Sequence, residues 1–289
     1  GSEMCIRDRS YFVKLLYFLT GITASGKSRL AHEIAIERGF DIISLDSMAV
    51  YKGLDILTAK PNDVMRSQVL YYGLDIAEPD QNFSVVDYLN YLIEMEIPEK
   101  SFEKDYLVVG GTGLYFRSLI NSFEFRPTDP AIRSELEQLN VDQLLKFHEM
   151  YEIKTPDVEI NKRRLIRNIE DSILEDVKYV FPPIHIPENI VGIFWNHPDY
   201  KNRISKRTDE MIEQGVIDEM NGISNPSKTV LQAIGMNLSN DLAENINLKT
   251  NRLAKKQLTW FKQEDRIKIV DTDDENVIRK ELEMVIDGK

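Results

Sequence analysis

The segment "LTGITASGKS", Leu19 to Ser28, constrains the fold of this chain more than any other stretch. Gly21, Gly26, Lys27 and Ser28 stand at the spacing of a loop whose backbone amides cradle phosphate oxygens. Such a loop needs a strand to deliver it and a helix to leave it, with the positive helix end aimed at the anion. Both flanks comply. "KLLYFLT" (Lys14 to Thr20) is the apolar run of a buried parallel strand. "SRLAHEIAIERG" carries apolar Leu30, Ile34 and Ala35 and stops at Gly39, which describes a helix. In that setting Lys27 would reach terminal phosphates and the Ser28 hydroxyl would hold Mg²⁺.

Strand and helix signals then alternate. "DIISLD" (Asp41 to Asp46) is a second buried strand with an acid at its tip, and "DYLVVGGTG" is a third, ending in Gly110, Gly111 and Gly113. Between them "SVVDYLNYLIEM" opens with Ser84 and Asp87 in capping-box spacing. This alternation implies a parallel sheet covered on both faces. From "FRPTDP" (Phe125 to Pro130) to about Lys178 the signals are only helical: "DPAIRSELEQL" with Pro130 in its first turn, "VDQLLKFHEM" and "INKRRLIRNIEDSIL". "FPPIHIP" punctuates, then "NIVGIFWN" resumes the strand pattern, "YKNRISKRTDEMIEQG" is a helix ending at Gly215, and "RIKIVD" precedes a terminal helix. The expected organisation is an α/β core of residues 13–122 and 188–289, interrupted by an all-helical insertion, 123–187. Residues 1–12 form a leader without periodicity, outside the fold.

Composition narrows the function classes. The 289 residues are 42% hydrophobic and 29% charged, a globular balance, and the longest apolar stretch, "LLYFLTGI", is too short to cross a bilayer. One cysteine, Cys5, excludes a disulfide framework and a cysteine zinc site and fits a reducing cytoplasm. His32, His148, His185 and His197 are scattered and read as structural or surface residues. A net charge of −12 argues against nucleic acid, yet two stretches oppose it: "NKRRLIRN" has four cations and no anion, and "KTNRLAKKQLTWFKQEDRIK" has seven cations and two anions. These are either solvated helix faces or the footprint of a polyanion.

Four groups of residues carry candidate chemistry, each with two readings. Asp46 suits a magnesium-organising carboxylate or a general base. Ser47 and Tyr51 suit the grip on a flat base, although Tyr51 equally suits the core. Thr112, in "VGGTGLYF", either contacts a substrate beside glycines that open space or caps a tight strand-to-helix turn. Arg203 and Arg207, four apart on a helix, either clamp a diphosphate or pair with local acids such as Glu210.

In order, "GITASGKS", "DSMAVYKGLDILTAKP", "VGGTGLYF", "NKRRLIRNIE" and "LAKKQLTWFK" resemble the tRNA dimethylallyltransferases, also called tRNA isopentenyltransferases, over about residues 15 to 270. The resemblance implies a P-loop NTPase-like core whose helical insertion grips the anticodon stem-loop, and a bacterial-type monomer. It implies transfer of a dimethylallyl group from its diphosphate to the exocyclic amine of the adenosine 3′ of the anticodon. Asp46 would be the base and Thr112 would lie near the target adenine, with Ser47 and Tyr51 beside it. Gly21, Thr23, Ala24, Ser25, Gly26, Lys27, Ser28 and Arg203 would hold the diphosphate with Mg²⁺, and Arg207 would stabilise its leaving charge. Arg133, Arg163, Arg164, Arg167, Lys255, Lys256, Gln257 and Trp260 would face tRNA. The chain departs from the family pattern at Ile22, Ala49, Leu57, Tyr71, Tyr72 and Met236. The rival expectations are an ATP-dependent small-molecule kinase, prenyl transfer to free adenine nucleotides, and a non-catalytic RNA-binding module.

Overall fold

The computed structural model describes residues 16–97, 104–121, 124–125, 129–155, 160–174, 179–180, 191–236 and 241–288, so the leader, His185 and "FPPIHIP" lie outside the described residues. The chain divides into two compact units, Gly1–Asn121 with Pro183–Lys289, and Ser122–Pro182.

The larger unit is built on the strands β1 (Leu16–Gly21), β2 (Asp41–Leu45), β3 (Tyr71–Tyr72), β4 (Tyr106–Gly110), β7 (Gly192–Asn196) and β8 (Ile267–Asp271). All six are parallel and lie in the order β3-β2-β4-β1-β7-β8. The helices of this unit are α1 (Lys27–Arg38), α2 (Asp55–Thr58), α3 (Asp63–Gln68), α4 (Val85–Glu94), α5 (Gly113–Ile120), α9 (Tyr200–Glu213), α10 (Val216–Asn221), α11 (Leu242–Phe261) and α12 (Glu275–Ile286). Every residue of β1 is buried, because helices cover both faces of a central parallel strand. On one face Leu19, Ile42, Leu107 and Ile193 pack with Leu30 and Ile34 of α1 and Ile278 and Leu282 of α12. On the other, aromatic rings meet edge to face or tilted: Phe18 with Phe116 at 4.9 Å, and Phe194 and Phe116 with Phe261 at 4.9 and 5.2 Å. Phe261 thereby anchors the last turn of α11 to the sheet.

Local signals explain the element ends. Gly39 adopts φ 69° and stops α1, and Ser84 with Asp87 forms a reciprocal capping box on α4. The 20-residue α11 is visible in the sequence only as its basic C-terminal half. With all strands parallel, the loops after β1, β2 and β4 gather at one edge, where ligands of open α/β sheets bind.

The smaller unit contains α6 (Pro130–Gln138), α7 (Val141–Met150) and α8 (Lys162–Ile173), packed around Leu136, Leu144, Leu165, Ile166 and Ile169. Asp129 caps α6 ahead of Pro130. The expectation of an all-helical insertion needs correction: β5 (Glu124–Phe125) and β6 (Tyr179–Val180) form an antiparallel ribbon. Two residues per strand are too few to show a period of two. Substituting Phe261→Ala should cost about 3–5 kcal/mol of stability, read as a lower urea midpoint. A midpoint unchanged within error would contradict the anchoring role.

Candidate active site

The loop after β1 opens into a cavity of about 1070 Å³. Gly26 holds φ 102° immediately before α1, a conformation that side chains with a Cβ rarely adopt, so the loop can turn its amides inward at this point. Thr23, Ala24, Gly26, Lys27 and Ser28 line the cavity. Ser25 is fully buried, and its hydroxyl has no partner among the described residues. Gly21 ends β1 against Trp195, where a Cβ would lie 2.8 Å from the Trp195 carbonyl oxygen.

Two cations occupy the floor. The Lys27 ammonium donates to the Ile22 carbonyl at 3.2 Å, and Arg207 Nη1 donates to the Thr23 hydroxyl at 3.3 Å. Burial, and then repulsion from Arg207, lower the Lys27 pKa from 10.5 to about 8, against the pull of Asp46. Burial likewise lowers the Arg207 pKa, while Asp46 and Glu210 oppose the shift. Glu210 itself pairs with Lys206, at 3.8 Å. Arg203, expected at the diphosphate, lines the same cavity and braces the loop: its guanidinium donates to the carbonyls of Ala24 (2.7 Å) and Ser25 (3.4 Å).

Opposite stands Asp46, just beyond β2. Its Oδ1 accepts from the amides of Met48 (2.8 Å) and Ala49 (3.2 Å), which fixes the carboxylate at the cavity wall. Thr112 holds both flanks of this acid: its amide donates to the Leu45 carbonyl at 3.2 Å, and its hydroxyl accepts from the Ser47 amide at 3.3 Å. Thr112 precedes α5 without a side-chain capping bond, so its hydroxyl serves the neighbouring strand tip instead. The glycines around it line the cavity and also admit close neighbours from α11. A Cβ at Gly111 would lie 2.2 Å from Gln257 Nε2, and one at Gly113 2.3 Å from the Trp260 ring.

Other expected positions separate. Tyr51 is fully buried and its hydroxyl accepts from the Phe83 amide, so its ring belongs to the core and is no platform for a base. Gln257, expected on RNA, hydrogen-bonds backbone at both ends of its amide: its Oε1 accepts from Thr23 and its Nε2 donates to Gly111. Trp260 lines the cavity beneath the Arg117 guanidinium, 4.4 Å from the ring centroid. Lys255 and Lys256 are exposed on α11. In the smaller unit Arg163 and Arg164 are exposed, whereas Arg133 forms a bidentate pair with Glu170, which is fully buried, and Arg167 lies 3.7 Å from the same carboxylate. Arg133 therefore holds that unit together as well as presenting charge.

The far wall carries residues that sequence motifs do not reveal. Glu219 of α10 accepts from three successive amides, Asp55, Ile56 and Leu57, at 2.7–2.9 Å, and so caps α2. Lys60 is 1% exposed and donates to the Tyr51 carbonyl, Asp55 and Asp75 at 2.6–2.8 Å. Their sequence neighbourhoods give no sign of this, since Glu219 lies more than 160 residues from its partners and the Lys60 contacts follow no helical or strand spacing. The departures from the family pattern are mostly core residues: Ile22, Ala49, Leu57 and Met236 are buried, and the Tyr71 hydroxyl meets His32 Nδ1 at 2.8 Å.

The IPP transferase family matches residues 49–264, well over half of the chain. This chain belongs to that family. Among curated members, the tRNA dimethylallyltransferase of Geobacter sulfurreducens is 30% identical over 286 residues, covering 89% of this chain and 91% of the relative. That of Finegoldia magna is 34% identical over 279 residues, covering 86% and 88%. The solved tRNA isopentenylpyrophosphate transferase of Bacillus halodurans has 28% identity and a TM-score of 0.65 over 96% of this chain and 95% of its own. The P-loop-like core of this IPP transferase is thus shared along nearly its whole length.

The lowered Lys27 pKa fixes a pH signature. The free protein loses this charge near pH 8, whereas a bound diphosphate favours the charged form. Affinity for a monoalkyl diphosphate should therefore weaken as pH rises through about 8, and Lys27→Met should bind weakly without that inflection. Titration calorimetry between about pH 7 and 9.5, a window that brackets the loss of this charge, measures both, and a flat wild-type profile would contradict the assignment.

Proposed function

We propose that this IPP transferase moves the dimethylallyl group of dimethylallyl diphosphate onto the N6 amine of the adenosine 3′ of the anticodon in tRNA, releasing diphosphate. One observation carries the reading: two half-buried cations beside a phosphate-type loop share a single cavity with a fixed carboxylate. Lys27 and Arg207 are half-buried, line the same cavity and repel each other, an arrangement that a multivalent anion would relieve. The names of the curated relatives support tRNA as the acceptor and dimethylallyl as the group transferred.

The exocyclic amine of adenine is a weak nucleophile, because its lone pair is delocalised into the ring. As the amine nitrogen bonds to the allylic carbon, the C–O bond breaks and the diphosphate leaves with the electron pair. Asp46 holds the amine and takes its proton. Negative charge grows on the bridging oxygen, and Lys27, Arg207, the Thr23 hydroxyl and the loop amides are placed to stabilise it. The Ser28 hydroxyl lines the cavity and is an oxygen donor of the kind Mg²⁺ takes, with diphosphate oxygens to complete the shell. The ion would supply charge neutralisation of the leaving diphosphate.

The target adenosine has to leave its stack to enter the cavity, as flipped bases do. Lys255 and Lys256 on α11, with Arg163 and Arg164 on α8, would meet the RNA backbone. We take the protein as a monomer, and a tRNA acceptor is in keeping with the cytoplasm. No helix among the described residues is long and apolar enough to cross a membrane.

Incubation with Mg²⁺, labelled dimethylallyl diphosphate and either unmodified tRNA or AMP should label the tRNA alone. Label in AMP but not tRNA would overturn the acceptor, and phosphate transfer from ATP to a small molecule would favour a kinase. Asp46→Asn should keep diphosphate affinity within about threefold while turnover falls on the order of 10²–10⁴-fold. A variant that instead loses Mg²⁺ affinity with turnover largely intact would make Asp46 a metal organiser.

A further inference from the structure

Asp46 and the phosphate loop stand on different strand tips, and the reaction needs them in fixed register. The side chain of Gln257, on α11, joins the loop after β1 to the turn after β4. Gln257 Oε1 accepts from the Thr23 amide at 2.9 Å, and its Nε2 donates to the Gly111 carbonyl at 3.3 Å. Each end leads on. The Thr23 hydroxyl receives Arg207, on the leaving-group side. Gly111 precedes Thr112, whose amide and hydroxyl secure Leu45 and Ser47 on either side of Asp46. A continuous path of hydrogen bonds and short backbone steps therefore runs from the leaving-group cation to the base, and Gln257 sits at its middle.

Two further observations show that the position is built for this contact. A Cβ at Gly111 would lie 2.2 Å from Gln257 Nε2, so any other residue there would push the amide out of this position. The next turn of α11 is docked by Trp260 over Gly113 and by Phe261 against Phe116, which sets the depth at which Gln257 enters. A carboxamide is uncharged and can accept at one end while donating at the other across this gap. A lysine would leave the Thr23 amide unpaired and add a third cation beside Lys27 and Arg207.

We infer that Gln257 is a positioning residue: it sets the distance between the diphosphate cradle and the Asp46 carboxylate, and its role is in the chemical step rather than in holding RNA. The inference rests on the prenyl-transfer reading of the site. Misplacement of reacting groups by about an ångström can cost about a hundredfold in rate.

The test is a single-turnover assay on the full chain, with saturating dimethylallyl diphosphate, Mg²⁺ and unmodified tRNA, comparing wild type, Gln257→Met and Gly111→Ala. Methionine keeps the length and removes both hydrogen bonds, and alanine at 111 displaces the carboxamide while leaving Gln257 in the chain. Both variants should lose about 10- to 100-fold in the rate constant per active site, with burst amplitude preserved and affinities for both substrates within about twofold. The double variant should be no slower than the worse single one. A Gln257→Met enzyme with an unchanged rate constant but weakened tRNA affinity would make Gln257 an RNA contact and overturn the inference. A reduced amplitude with an unchanged rate constant would make it merely structural and overturn the inference equally. If the wild type left tRNA unlabelled, the function itself would fall, and the inference with it.

Discussion

Two positive charges set side by side at one phosphate loop govern the rest of this structure. Partial burial and the repulsion from Arg207 lower the Lys27 pKa to about 8. Both side chains line one cavity, where a multivalent anion would meet them together. What surrounds the pair serves to hold it. Arg203 braces the loop through its carbonyls, Gln257 ties the loop to the turn after β4, and β1 fixes its origin by burial on both faces. A loop of this kind is usually associated with nucleoside triphosphates, yet nothing in its physics specifies a nucleoside. It specifies phosphate oxygens, and the wall opposite decides what becomes of them.

That wall is made by long-range contacts of modest individual strength. Glu219 caps α2 through three amides, and Lys60 gathers the Tyr51 carbonyl, Asp55 and Asp75 around one buried ammonium. Burial favours the neutral form of Asp75, but the hydrogen bonds from Lys60 and Arg66 outweigh it and hold its pKa below the ordinary value. In the smaller unit Glu170 plays a comparable part by fixing Arg133, so an arginine expected on RNA also closes the helical packing.

How much of this can be read from residues alone follows from the range of the forces. The strands β1, β2, β4 and β7 are legible because burial on both faces writes a nearly continuous apolar run, and α1, α4 and α6 because Gly39, the Ser84–Asp87 box and Pro130 act locally. The loop is legible because its spacing is itself the mechanism. The ribbon of β5 and β6 is not, being too short to have a pattern. Tyr51 is ambiguous until Phe83 and the bridge to Ala77 place it in the core. Gln257 shows as part of a basic block, and only its partners 234 and 146 residues away reveal that it faces inward. Thr112 lies between two readings, and the structure adds a third: it neither caps α5 nor stands idle, but steadies the tip that carries Asp46.

The central claim is that the loop grips a departing diphosphate and that no phosphoryl group moves. Its most direct test counts diphosphate released against prenyl groups gained by tRNA, in a reaction supplied with Mg²⁺ and dimethylallyl diphosphate and free of ATP. The account predicts one diphosphate for each modified adenosine, at full rate. Release of orthophosphate, or a reaction that stalls until ATP is added, would contradict it.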